Sequence, residues 1–110
     1  MKNSTTKTEI SFRFNRLDKM QAFTLEREIF GSSREDHLEN NCYVVYVPLT
    51  DNNFDDINDY YVRQRIKIEE CDVFVSVCSD SGTNTFDIPA IVNRMLKYID
   101  CKLTFSFTVV

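Results

Sequence analysis

From residue 72 to residue 109 the hydrophobic period changes twice. Val73, Phe74, Val75 and Val77 form an apolar run that ends at Cys78, the length of a buried strand. Six residues of turn chemistry follow, Ser79-Asp80-Ser81-Gly82-Thr83-Asn84. Ile88, Ile91, Val92, Met95, Leu96 and Ile99 then recur at spacings of three and four, which is one face of an α-helix. Asp87 suits its N-cap, Pro89 its first turn, and Arg94 and Lys97 its C-terminal half. Leu103, Phe105, Phe107 and Val109 alternate with Thr104, Ser106 and Thr108, the mark of a half-buried strand. This stretch predicts strand, turn, helix, strand, with the helix over 88–99 and the strand over 103–109 forming the core.

Upstream, Ile10, Phe12 and Phe14 alternate with Ser11 and Arg13, a first strand with one wet face. Leu17, Met20, Phe23, Ile29 and Phe30 trace a helical stripe over 17–30. Asn15 could cap it, Asp18 suits its first turn, and Gly31 stands where a helix stops. Residues 32–41 are polar and read as a surface loop. The β-branched and aromatic run over 42–47 ends at Pro48 and predicts an edge strand. Residues 50–70 carry two periods. Phe54, Ile57, Tyr61 and Ile68 fall on one helical face, with Asn52 or Asn53 as cap. Residues 62–68 also alternate, with Arg63, Arg65 and Lys67 on the odd positions. A helix over 54–65 is the reading adopted.

The expected order is β-α-β-(α)-β-α-β, an α+β domain. Its simplest arrangement is a ferredoxin-like four-stranded antiparallel sheet with helices on one face, plus an extra helix between strands 2 and 3. Residues 1–7 read as a loose polar tail and 8–110 as the single domain.

Composition narrows the function classes. A chain of 110 residues can bury one core without staples. Its net charge of −4 disfavours nucleic acid and anionic membranes as direct partners. No apolar run approaches the roughly 20 residues of a bilayer span, and residues 1–7 hold no apolar signal core. The expected compartment is the cytoplasm. Cys42, Cys71, Cys78 and Cys101 include no C-x-x-C pair, and His37 is at ligand spacing from none of them. Reduced, buried thiols without metal or cofactor are expected.

Candidate chemistry is sparse. His37, the sole histidine, is the only imidazole base and lies in Arg34-Glu35-Asp36-His37. The 79–84 turn offers one glycine where a phosphate cradle needs several. Asp51, Asn53 and Asp55 copy the opening of a calcium loop, but Asp56 and Val62 stand at its glycine and glutamate positions. No catalytic set emerges, and the expectation is a protein that is not an enzyme.

Charge is less evenly spread. Between Arg34 and Arg63 there is no lysine or arginine, and seven acids fall there: Glu35, Asp36, Glu39, Asp51, Asp55, Asp56 and Asp59. The rest of the chain is net positive. Tyr43, Tyr46, Phe54, Tyr60 and Tyr61 are interleaved with the acids. Such a block suits a solvated loop and a helix start. It equally suits a docking surface with carboxylates for steering and tyrosines for anchoring. On the second reading the contacts are Asp55, Asp56, Asp59, Tyr60 and Tyr61, with Glu35, Asp36 and Glu39 as a second patch.

The segment Asp72-Val73-Phe74-Val75-Ser76-Val77-Cys78-Ser79-Asp80-Ser81-Gly82-Thr83, with the helix and strand after it, resembles the C-terminal end of a family of small bacterial domains of unknown function. Ile10-Ser11-Phe12-Arg13-Phe14 is similar to that family's opening strand; the middle third lies outside the likeness. Some proteins of this general look are immunity proteins of contact-dependent growth inhibition and related polymorphic toxin systems. The resemblance implies a non-enzymatic immunity protein that occludes a cognate basic toxin domain, such as a nuclease. Two other readings stand beside it. One is a small-molecule-binding regulatory domain that uses the 79–84 turn and forms a homodimer through its open sheet face or edge strands. The other is a phage-type acidic inhibitor of a nucleic-acid enzyme.

Overall fold

The sheet is organised around β1 (Thr6–Leu17), which pairs antiparallel with a neighbour on each side. A computed structural model describes residues 6–37, 42–80 and 87–109. After β1 come α1 (Lys19–Glu28), β2 (Ser33–His37), β3 (Cys42–Pro48) and α2 (Asp51–Arg63). A short 3-10 turn (Ile68–Glu70), β4 (Cys71–Ser79), α3 (Ala90–Tyr98) and β5 (Lys102–Val109) complete the chain. The fold is mixed α+β, with one five-stranded sheet in the order β2-β3-β1-β4-β5. β1, β2, β3 and β4 are joined antiparallel, whereas β4 and β5 run parallel.

This differs from the ferredoxin-like expectation in two ways. The polar stretch read as a loop contains β2, paired in register with β3 from Ser33 opposite Tyr46 to His37 opposite Cys42. β3 is therefore an inner strand. Pro48 still ends it, and its partner there is Ser11. The last strand is parallel because α3 carries the chain back across the sheet, as a helical crossover does.

The remaining boundaries shift by a few residues. β1 takes in Thr6 and Lys7 from the expected tail and runs on to Leu17. α1 then starts later, capped by Asp18 rather than Asn15. The Asp18 carboxylate accepts from the Gln21 amide at 2.7 Å, while the Gln21 side chain accepts from the Asp18 amide at 3.1 Å. This reciprocal box satisfies two amides that the helix itself leaves open. Gly31, at φ 90°, turns the chain from α1 toward β2 in a region glycine enters without strain. The helical reading of the ambiguous segment holds: α2 begins at Asp51, three residues early, and 62–68 is not a strand. α3 begins after Pro89 with no side-chain cap, so Asp87 does not serve.

Register fixes the faces. Phe12 lies opposite Val47 and Val73, and Arg13 opposite Tyr46 and Asp72. The Phe12 face meets the helices. Phe14 is fully buried there, 5.0 Å from the Phe12 ring and 5.2 Å edge-on from Tyr60 of α2. Leu25 of α1 and Met95 of α3 close the same core. β5 corrects a further expectation. Its apolar row faces the helix side beside Val73, Val75 and Val77, yet Phe105 is 52% exposed and Phe107 47%. β5 is the outermost strand, and the clustered core lies over β1, β3 and the start of β4.

Candidate functional site

α2 begins where the Thr50 hydroxyl accepts from the Asn53 amide at 3.2 Å, and Asp51 sits favourably in its first turn. Phe54, Ile57 and Tyr60 point inward and are buried. Asp51, Asp55, Asp56 and Asp59 are all exposed. The helical period thus turns the second half of the acidic block into one ridge. The ridge is pinned at both ends. Arg63 pairs with Asp59 at 3.1 Å and with Glu28 of α1. Hydrogen bonds to Glu28 and then Asp59 hold the Arg63 guanidinium above its usual range. Arg94 of α3 approaches Asp51 at 3.7 Å and stacks over the Phe54 ring at 4.1 Å. Among the described residues, Asp55 and Asp56 have no ion-pair partner.

The expected contact residues separate. Asp55, Asp56 and Asp59 lie together on the ridge. Tyr60 does not: it is buried, and its hydroxyl donates to the Gln21 carbonyl at 2.7 Å. Burial raises its pKa above the ordinary phenol value. It is a core residue and, contrary to the expectation, offers no surface to a partner. Tyr61 is half-buried against the core, with its pKa likewise raised, chiefly by desolvation. Glu35 is exposed on β2 and opposes Val44, which places it on the sheet face away from the helices. The Tyr46 hydroxyl donates to it at 3.5 Å. Glu35 is therefore not continuous with the α2 ridge. Asp36 opposes Tyr43 in β2; its side chain, the His37 side chain and all of Glu39 lie outside the described residues.

Sequence reasoning overlooked Tyr98. It is 67% exposed at the end of α3, edge-on to Phe54 at 5.2 Å, and so beside the first half of α2. Val62, 72% exposed, lies on the outward side of α2 with Asp55 and Asp59. The available signal was that Tyr98 falls off the apolar stripe of its own helix.

The face away from the helices carries a second cluster. Asp72 is only 4% exposed there. It accepts from Arg13 Nε at 2.9 Å and Nη2 at 2.5 Å, from Thr104 at 2.8 Å and from Asn15 at 3.5 Å. The Arg13 guanidinium lies 4.2 Å from the Phe74 ring centre, and its pKa is raised chiefly by hydrogen bonding to Asp72. The carboxylate on β4 is saturated by donors from β1 and β5 on either side, which makes the cluster a clamp across the sheet.

Other candidates change character. Asp51, Asn53 and Asp55 stand on a helix, where residues two apart diverge, so they do not form a calcium loop. Among the described residues, no three metal-ligating side chains converge. The 79–84 turn lies outside them from Ser81 onward. No family model, curated protein or solved structure matches the chain. Among the described residues, no helix is long and apolar enough to cross a membrane.

Proposed function

We propose that this chain is a non-enzymatic binding protein that docks a basic partner domain on the α2 ridge, in the manner of a cytoplasmic immunity protein occluding a toxin. The observation that carries this reading is the exposed pair Asp55 and Asp56, uncompensated by a neighbouring cation and backed by Tyr98 and Val62. A toxin that handles phosphate backbones lines its cleft with lysine and arginine. Carboxylates projecting from a rigid helix match that charge, and the exposed tyrosine supplies apolar area with little entropy to lose.

The test is kinetic. The partner to use is a basic domain recovered by pull-down with this chain. Asp55→Asn with Asp56→Asn should slow association several-fold at low salt and little at high salt, because steering is screened beyond roughly 10 Å at 0.1 M. Tyr98→Ala should leave association nearly unchanged and speed release. An unchanged association rate and salt slope in the double variant would sink the proposal.

A further inference from the structure

Two of the four cysteines meet. β4 and β5 are parallel neighbours in which Asp72 pairs with Lys102 and Val73 with Leu103. One step back along both chains, that register brings Cys71 beside Cys101. Both pack with the core on the helix side of the sheet, where the Cys71 thiol donates to the Lys67 and Ile68 carbonyls at 3.8 and 3.7 Å. Adjacent strands lie about 4.8 Å apart, inside the Cα window a disulfide needs. Cys42 and Cys78 have no such relation. They lie on the opposite face of the sheet, where Cys78 pairs with Lys7 and Cys42 with His37, toward opposite ends of it.

We propose that Cys71 and Cys101 form a peroxide-responsive dithiol, which closes to a disulfide when oxidised and reopens under thiol reductants. Cys101 reacts first. It is partly exposed whereas Cys71 is buried, and the neighbouring Cys71 side chain lowers its pKa, which favours its thiolate. The neighbouring Cys101 side chain, together with burial, pushes the Cys71 thiol up and keeps it protonated. The Cys101 sulfur attacks one oxygen of hydrogen peroxide, the O–O bond breaks and hydroxide leaves, giving a sulfenic acid. The Cys71 sulfur then attacks the Cys101 sulfur. The S–O bond breaks, and the departing hydroxide takes the Cys71 proton as water. Two thiols lose two electrons in total, and peroxide becomes two waters. The bond would tie the start of the outermost strand to β4 and close the loop that contains α3.

The experiment uses the full chain with Cys42→Ser and Cys78→Ser, whose retained far-UV dichroism is checked first, alongside wild type. Both are treated with hydrogen peroxide, alkylated, digested and weighed. The expected product is one cross-linked peptide pair holding Cys71 and Cys101, lighter by about 2 Da than the two free peptides and reversed by dithiothreitol. Thermal unfolding of the oxidised form should rise by roughly 10 °C, since a cross-linked loop restricts the unfolded chain. Cys101→Ser should abolish both changes. Accumulation of sulfinic acid on Cys101 without a cross-link, or bridging of Cys71 to Cys42 or Cys78 in wild type, would overturn the proposal.

Discussion

The clamp at Asp72 gives the sharpest stability prediction. Removing its carboxylate with Asp72→Ala strips Arg13 of both hydrogen bonds and Thr104 of its acceptor. Hydrogen bonds to charged groups contribute about 1.5–3 kcal/mol, and breaking a buried ion pair from one side costs about 3–5 kcal/mol. The Arg13 side chain is 19% exposed, so water partly compensates it and the cost falls somewhat below that range, about 2–4 kcal/mol. For a domain stable by roughly 5–15 kcal/mol this is a large fraction. In urea melts the midpoint should fall by about 1–2 M with the slope unchanged. The control is Asp51→Ala, whose pair with Arg94 is 3.7 Å long and mostly exposed; it should cost under about 1 kcal/mol. The companion variant replaces both charges, Arg13→Met with Asp72→Leu. It should recover much of the loss, because an apolar pair leaves no charge stranded. Equal costs for Asp72→Ala and Asp51→Ala, or a double variant no better than Asp72→Ala alone, would refute the clamp.

Two further predictions use the same melts. Phe14→Ala should cost about 3–5 kcal/mol because the ring is fully buried between Phe12 and Tyr60, whereas Phe105→Ala, at 52% exposure, should cost less than half as much; comparable losses would mean that β5 is covered in solution. Tyr60→Phe should cost about 1 kcal/mol through loss of the bond to Gln21. Because the folded pKa of Tyr60 lies above the unfolded value near 10, wild type should lose stability as pH rises past about 10, and Tyr60→Phe should flatten that slope.

Elements with an apolar period were legible in the sequence, and those without one were not. β2 reads Ser-Arg-Glu-Asp-His. An edge strand with so little apolar content offers no alternation to detect, and only its pairing with β3 defines it. Its absence made β3 look like an edge. The choice between Tyr60 and Tyr61 was invisible for another reason. Adjacent residues lie 100° apart on a helix, and the stripe of Phe54 and Ile57 continues through either one. What decides is the Gln21 carbonyl on α1, 39 residues earlier, which takes the Tyr60 hydroxyl. Alternation in β5 correctly named which side chains share a face, but a period cannot say whether a second layer reaches that far.

The ridge differs from every buried feature in what it gives the fold. Asp55 stands four residues from both Asp51 and Asp59, so these carboxylates repel one another by a few tenths of a kcal/mol. Asp55 and Asp56 lie beyond the first turn, where the helix dipole offers little. A purely structural role therefore predicts nothing lost when they are neutralised. Asp55→Asn with Asp56→Asn should leave the urea midpoint unchanged or slightly raised while slowing capture of a basic partner. Opposite signs for stability and association are the signature of side chains that serve an encounter rather than the fold. A clear loss of stability in that variant would place both carboxylates among the structural residues and remove the basis for the docking surface.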